Sequence, residues 1–387
     1  MTEVKKRLLI ATGIFEPDIG GPASYARFLA DKLSVDLDVK VISYSSIRKY
    51  PKDKDFSFKV ERVWKGIPWF IRHLAYFLKV FFVAKNSDII YSLSIINGSI
   101  PSWLSAKLFK KKFYIRVAGD YAWQVAAEKG KTNLLIDDFQ KADKPFWSGI
   151  LYKLQASMAK KADLVIVPSD YLKQLVEGWG IKPDKIKVIF NSVDFEPLSI
   201  SKEDARTKLG IHGNIILSVG RLAPWKGFKM LIKVMPKLTE ISQFLRVVIV
   251  GSGPDKKNLE MMIRNLGLDK KVYLVGAKSR DDLKLYFAAA DMFVLNSGYE
   301  GFSHQILESM AAGVPVIASA VMGNREIIHQ GENGFMFKYN DEFNLIEAIR
   351  TLHQDNELKE QFIKEGKKTA EFFSLEKMIT ETREVLL

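Results

Sequence analysis

The sequence predicts an α/β protein made of two doubly wound, Rossmann-like domains. Three observations carry that expectation. Short apolar runs alternate with helix-like segments from Arg7 onward, the pattern of parallel strands buried on both faces and joined by right-handed crossovers. The alternation restarts at Ile215, after a polar, proline-containing stretch, NSVDFEPLSIS, at 191–201. At 387 residues the chain exceeds one ordinary core, and 47% apolar content supplies enough for two.

Basic residues precede LLIATGIF near the start of the chain, as in a secretory leader, but this run is short and lacks a small-residue cleavage site. It reads as a first strand, Arg7–Thr12, and the expected location is cytoplasmic. Further strands are expected at Asp38–Tyr44, Ile89–Ser92, Lys112–Val117 and Leu164–Val167, and helices at Ala23–Leu33, Trp69–Ala84, Pro101–Phe109 and Ser148–Ala159. After the break come strands at Ile215–Val219, Arg246–Val250, Val272–Val275, Met292–Leu295 and Val316–Ala318. The amphipathic stretch Glu357–Leu386 has no strand after it and is expected to pack back across the chain. The resulting division is 1–195, 196–365 and a C-terminal helix, 366–387, returning to the first domain.

Charge is distributed unevenly. Residues 1–195 hold 32 Lys+Arg against 20 Asp+Glu, or +12, and the remainder holds 26 against 25, or +1. A basic half points to an anionic partner, with a solvated Lys-rich surface as the plain alternative. No nucleic-acid recognition motif accompanies it, so nucleic acid is not expected. There are no cysteines, which removes disulfides and thiolate metal sites. The five histidines are scattered, and no metal is expected.

Ile67 to Ala84, IPWFIRHLAYFLKVFFVA, is dense in aromatic residues. It nearly reaches membrane-spanning length, but burying Arg72, His73 and Lys79 in hydrocarbon would be costly. A crossover helix is the first reading, and a helix lying in a membrane interface the second.

Chemistry concentrates in Asn296–Ser319, NSGYEGFSHQILESMAAGVPVIAS. Glu300 follows the apolar run DMFVL and would stand in a turn at the carboxyl end of a strand, where open α/β sheets bind ligands. A helix beginning near Ser303 would aim its N–H groups at the same place, which suits a phosphate. Glu308 falls about 8 Å further along that helix, at 1.5 Å per residue. The loop GRLAPWKG at 220–227 follows another strand and offers Arg221, a planar fork for phosphate oxygens, and Lys226, a mobile point charge. Taken alone these are two surface cations beside a turn; sharing a sheet edge with Glu300, they read as a diphosphate clamp. Gly20-Gly21-Pro22 and Gly251-Ser252-Gly253-Pro254 are glycine loops after strands, and a plain turn explains either.

As a set, the Gly-Gly loop at 20–21, NSVD at 191–194, GRLAPWKG at 220–227, VGSGP at 250–254 and EGFSHQILE at 300–308 resemble the retaining glycosyltransferases of family four. The resemblance spans the chain, and the two glutamates eight residues apart with the Arg/Lys pair carry its specificity. It implies a GT-B fold, two Rossmann-like doubly wound domains facing a central cleft, with acceptor bound by the first and nucleotide sugar by the second. It implies that Glu308 binds the ribose hydroxyls of the donor, that Arg221 and Lys226 bind its diphosphate, and that Glu300 contacts the transferred hexose. Backbone groups of Phe302, Ser303 and His304 would serve donor binding, Gly21 would lie near the diphosphate or acceptor, and Gly276 and Ala277 would lie near the base. Two positions depart from the family. Where such enzymes carry a histidine after the fourth strand, IRVAGDYAW has Gly119 and Asp120, and Asp120 is expected to assume part of that role. Ser303 replaces the usual glycine and reads as a helix N-cap.

The activity so implied is transfer of a hexose from a nucleoside diphosphate sugar, such as UDP- or GDP-hexose, to an acceptor hydroxyl with retained configuration. Preorganised cations and helix N-termini would stabilise the leaving diphosphate without a metal. Acid/base hydrolysis by the two glutamates is the rival, disfavoured because Glu308 faces the nucleoside end. Whether Glu300 is a nucleophile or a sugar-binding residue stays open. The basic first half with its aromatic helix points to a lipid-linked acceptor in surface glycan synthesis, possible contact with an anionic membrane, and a position on the cytoplasmic face. A soluble disaccharide or glucan synthase, or a non-catalytic binding protein of the same fold, is the alternative.

Overall fold

A computed structural model describes residues 5–18 and 20–387. Residue contacts divide the chain into two units. Unit 1 holds the chain up to Trp123, Lys144–Phe190 and Glu376–Leu387; unit 2 holds Gln124–Asp143 and Asn191–Leu375.

Unit 1 begins with β1 (Arg7–Thr12), α1 (Gly21–Leu33), β2 (Asp38–Ser45), β3 (Lys59–Trp64) and α2 (Trp69–Lys85). It continues with β4 (Ile89–Ser92), α3 (Ser99–Phe109) and β5 (Lys112–Arg116). The chain then leaves through α4 (Tyr121–Glu128), forms α5 (Ile136–Lys141) in unit 2, and returns as α6 (Phe146–Lys161), β6 (Leu164–Val167), α7 (Asp170–Gly178) and β7 (Ile186–Val188). Among the described residues these strands make one parallel sheet in the order β3-β2-β1-β4-β5-β6-β7. The central strands are apolar runs because both faces are covered; Leu8 to Ala11, Ile90 and Val165 to Val167 are buried.

Unit 2 runs α8 (Lys202–Leu209), β8 (Asn214–Val219), α9 (Phe228–Lys233), α10 (Met235–Ile241), β9 (Leu245–Val250), α11 (Lys256–Asn265), β10 (Val272–Leu274) and α12 (Arg280–Ala289). Then come β11 (Met292–Leu295), α13 (His304–Ala311), β12 (Val316–Ser319), α14 (Met322–Arg325), β13 (Phe335–Phe337), α15 (Glu342–Gln354) and α16 (Asn356–Phe372). Its strands form a second parallel sheet, β10-β9-β8-β11-β12-β13. Ile216, Val247, Ile249, Val294 and Ile317 from four of these strands share one buried core with Leu231, Leu238 and Leu345 from the covering helices. Each such side chain contributes about 1.5–3 kcal/mol on burial. The last helix, α17 (Leu375–Leu386), belongs to unit 1 apart from its first residue.

Several expectations shift. The helical stretch after GRLAPWKG breaks at Val234, because Pro236 fits only the first turn of the new helix α10. Glu357–Leu386 is two helices separated at Phe373 and Ser374, where Val193 pairs with Ser374 and its N–H bonds the Phe373 carbonyl. The domain limit expected at 195/196 falls after Phe190, since Asn191 and Ser192 are bonded within unit 2. The tail expected to start at 366 divides at 375/376. Residues 124–143 were not expected in the second domain; Ile136 and Phe139 are buried, and the Leu135 side chain lies against Gly298.

Candidate active site

The order of the second sheet reverses between β8 and β11, and at such a switch point the two following loops diverge to leave room for a ligand. Those loops are GRLAPWKG and NSGYEGFS. They are in contact: Lys226 Nζ lies 2.5 Å from Glu300 Oε1, with both side chains largely buried. The Gly298 N–H donates to the Trp225 carbonyl at 2.6 Å, and Asn296 Nδ2 donates to the Gly227 carbonyl at 3.2 Å.

Gly227 makes this approach possible. Its φ is +63°, and a Cβ there would stand 1.9 Å from the Asn296 carbonyl oxygen. No L side chain tolerates that contact, so the residue after Lys226 must be glycine. Gly323, at the start of α14, plays the same part on the other side: a Cβ would meet the Glu300 carbonyl oxygen at 2.3 Å.

Beneath the Glu300 loop is a buried polar cushion. Ser319 Oγ donates to the Ser297 carbonyl at 2.5 Å and accepts from the Ser297 N–H at 2.9 Å, and Asn324 Nδ2 donates to the Ser319 carbonyl at 2.9 Å. Asn296 also bonds Asn340 in both directions, side chain to side chain at 2.9 Å and through the Asn340 N–H at 3.0 Å. Sequence reasoning missed Asn324, Ser319 and Asn340. The signal available was their position in loops or strand ends at the same sheet edge as Glu300.

The NSVD segment supports the loop from another side. Asn191 Nδ2 donates to the Phe302 carbonyl at 3.1 Å, and His304 Nδ1 lies 3.2 Å from the Ser192 carbonyl, a bond that places the ring proton on Nδ1. The Phe302 ring is buried edge-on against Phe373, centroids 5.1 Å apart. Ser303 caps α13, its Oγ accepting from the Ile306 N–H. The first turn of α13 is therefore held at the loop by its cap and by both NSVD bonds.

Glu308 lies one turn further along α13. It is partly buried, and that burial pushes its carboxyl up to about 7 against the opposing pull of Arg280. Arg221 is the exposed member of the set, its guanidinium paired with Glu128 at 2.9 Å. Glu128 lies in the 124–143 segment and was not foreseen as a partner. Gly276 and exposed Ala277 follow β10, and the Gly276 carbonyl accepts from the Gly251 N–H at 2.9 Å, which ties them to the GSGP loop. That loop is tied in turn to GRLAPWKG, where the Leu222 N–H donates to the Ser252 carbonyl at 2.9 Å. The structure thus brings Arg221, Lys226, Glu300, Phe302, Ser303, His304, Glu308, Gly276 and Ala277 to one edge of the second sheet.

Two expected residues belong to unit 1. Gly21 opens α1 with an exposed backbone, after the loop that follows β1. Asp120 is fully buried; its Oδ1 accepts from the Trp123 N–H at 2.9 Å and Gln155 Nε2 at 2.8 Å, while Gln155 Oε1 accepts from the Ala122 N–H at 3.1 Å. These bonds cap the start of α4, which is a structural employment for a carboxylate expected to stand beside a sugar.

Two cations, two acids and a helix N-terminus at one switch point form a site for a ligand with an anionic centre and hydroxylated ends. Comparison with known proteins identifies the family. Residues 19–197 match Glycosyltransferase Family 4 and residues 201–369 match Glycosyl transferases group 1. An uncharacterized glycosyltransferase of Methanocaldococcus jannaschii is 25% identical over 402 aligned positions, covering 98% of each chain. The N-acetylgalactosamine-N,N'-diacetylbacillosaminyl-diphospho-undecaprenol 4-alpha-N-acetylgalactosaminyltransferase of Campylobacter jejuni is 29% identical over 229 residues, 59% of this chain and 60% of its own. The chain therefore spans less than two thirds of that relative. Anabaena HepE in complex with UDP and glucose shares the fold, with a TM-score of 0.81 at 20% identity over 98% of this chain and 99% of that one. The chain belongs to glycosyltransferase family 4, and its two Rossmann-like domains are those of the GT-B class.

Proposed function

We propose that this glycosyltransferase moves a hexose from a nucleoside diphosphate sugar to an acceptor hydroxyl with retained anomeric configuration, in the synthesis of a lipid-linked or cell-surface glycan. The observation that carries the reading is the Lys226–Glu300 contact at the switch point, three residues before the cap of α13. HepE is seen with UDP and glucose, and the Campylobacter relative is named for a diphospho-undecaprenol substrate; both support this choice of donor and acceptor.

In this reading the donor diphosphate lies over the N-terminus of α13 and takes the Lys226 ammonium and Arg221 guanidinium as its counter-charges. Each cation is now held by a carboxylate, so donor binding exchanges Glu300 and Glu128 for phosphate oxygens. Glu300, released from Lys226, accepts hydrogen bonds from the hexose hydroxyls. Glu308 accepts from the ribose hydroxyls. As the glycosidic bond breaks, charge grows on the departing diphosphate, where fixed cations and N–H groups stabilise it most. The acceptor hydroxyl attacks from the same face, and its proton passes to the leaving phosphate oxygen. We assign no metal to the step, because Lys226, Arg221 and the helix supply the positive charge; activity should survive chelation. The expected working place is the cytoplasmic face of a membrane.

A screen of nucleoside diphosphate sugars, read as release of UDP, GDP or ADP, tests this. One donor should be turned over, and Lys226→Ala and Glu308→Ala should abolish or severely weaken that turnover. No binding or turnover of any donor, or indifference to both substitutions, would sink the reading.

A further inference from the structure

We propose that the outer face of α2, α3 and α6 in unit 1 is a docking surface for an anionic lipid bilayer, entered by aromatic side chains and held by lysines. This deepens the lipid-linked acceptor reading and rests on it for its purpose, though not for its physics.

The three helices lie on one face of the first sheet. The steps β3 to β4, β4 to β5 and β5 to β6 all run in the same direction, so their right-handed crossovers fall on the same side. α2 packs against α3 and α3 against α6, with Phe81 against Phe109 at 4.9 Å and the Lys161 ammonium over the Trp103 ring at 3.8 Å.

The polarity of α2 is the reverse of a solvated helix. Its polar side chains before Lys85 are tied down: Arg72 to the Lys65 carbonyl at 2.9 Å, His73 to Tyr44 Oη at 2.8 Å, Lys79 to Glu61 at 2.8 Å. Its apolar ones face outward, including Phe70 at 59% exposure, Leu74, Leu78 and Phe82 at 64%, continued on α3 by Leu104 and Leu108. Both α2 and α6 run antiparallel to the strands, so their first turns stand at the carboxyl edge of the sheet. There Trp69 is 69% exposed and Phe146 and Trp147 are 74% exposed each. An exposed apolar patch of this extent marks a binding surface.

Charge decides what covers it. α2, α3 and α6 contain no Asp or Glu, but carry Lys85, Lys107, Lys153, Lys160 and Lys161, and Lys110–Lys112 follow α3 directly. A second copy would set lysines against lysines. An anionic bilayer complements both components, since Trp and Phe favour the headgroup boundary and each nearby lysine adds attraction. Spanning is not the mode: among the described residues no helix is long and apolar enough to cross a membrane, and α2 lies flat against its sheet.

The test is flotation of the whole chain with vesicles of phosphatidylcholine alone or mixed with phosphatidylglycerol, at low and high salt, beside a Phe70→Glu/Trp147→Glu variant. Both positions are exposed, so the variant should melt as the parent does. The expected result is partition onto the mixed vesicles, weakened by salt, and reduced about tenfold or more in the variant. Tryptophan emission should shift to the blue on binding in the parent. The proposal falls if the parent does not bind mixed vesicles at low salt, or if the variant binds as well as the parent. It also falls if the parent instead self-associates through these residues, or binds an RNA homopolymer as tightly as it binds vesicles. Donor binding and turnover are measured in parallel. The absence of both, for every donor, from a parent that still binds vesicles would remove the transferase reading and leave this surface standing.

Discussion

Replacing Lys226 by alanine separates what the Lys226–Glu300 pair does for the fold from what it does for transfer. The two side chains are only 13% and 9% exposed and sit 2.5 Å apart. Deleting one partner of such a pair strands the other charge in poorly solvated surroundings, at a cost of about 3–5 kcal/mol when burial is complete. The residual exposure puts Lys226→Ala near the low end, about 3 kcal/mol. In a domain of this size that lowers Tm by about 6–12 °C. Lys226→Ala/Glu300→Gln removes the stranded charge as well and should recover most of the loss, to within about 1 kcal/mol of the parent. Transfer behaves differently: both variants lose a group aimed at the donor, and the rate should fall about 100-fold or more in each. The assay is calorimetry with and without donor, alongside nucleotide release, with hydrogen exchange on β8 and β11 assigning the affected transition to unit 2. The reasoning is refuted if Lys226→Ala melts with the parent, or if the double variant melts no higher than the single one.

Glu308 predicts a pH dependence of stability. Burial holds its carboxyl at about 7, above the ordinary 4.5, so the folded chain keeps a proton that the unfolded chain has lost. Stability therefore falls as pH rises between those values, by up to about 3 kcal/mol, and melting curves of Glu308→Gln should be flatter than the parent's by that difference. Gly227→Ala forces a Cβ to 1.9 Å from the Asn296 carbonyl and should cost about 3 kcal/mol in urea unfolding, while Gly267→Ala, also at φ +63° but with nothing within 4 Å, should cost only about 1 kcal/mol. Asp120→Ala should destabilise unit 1 by about 2 kcal/mol through loss of the Trp123 and Gln155 bonds, whereas Asp120→Asn, which keeps an acceptor oxygen, should stay within about 1 kcal/mol. If Asp120→Asn melts normally yet transfers more slowly, the carboxylate acts on substrate as well.

What could be read in the sequence follows from where burial is complete. β1, β4, β6 and β11 are central, covered on both faces, and their apolar runs gave bounds that agree to the residue with the structure. β3, β7 and β13 escaped notice, and all three are edge strands. β3 reads KVERVW with one buried side chain, and β7 and β13 have three residues each; β10, equally short and also at an edge, was legible because Val275 extends its apolar run to VYLV. In the site, Arg221, Lys226, Glu300 and Glu308 were legible because strand ends place loops on a shared edge. Their partners were not. Glu128 reaches Arg221 across 93 residues of sequence (221 − 128), and Asn191 meets the Phe302 carbonyl 111 residues away. Such pairs depend on how helices and loops pack, and no local pattern encodes them.

The return of α17 to unit 1 has a consequence for the order of folding. Arg383 meets Asp36, and Lys6 Nζ donates to the Leu387 carbonyl, contacts spanning nearly the whole sequence. As the chain is synthesised, unit 2 has every residue it needs once 375 has emerged, but unit 1 still lacks Met378, Ile379 and Leu386 from its interior. The part made first is finished last. Closing contacts of such long sequence separation is slow, so a nascent unit 1 would wait with apolar surface uncovered while unit 2 is already complete. Cutting the chain after Leu375 should accordingly leave unit 2 folded and send unit 1 into aggregates.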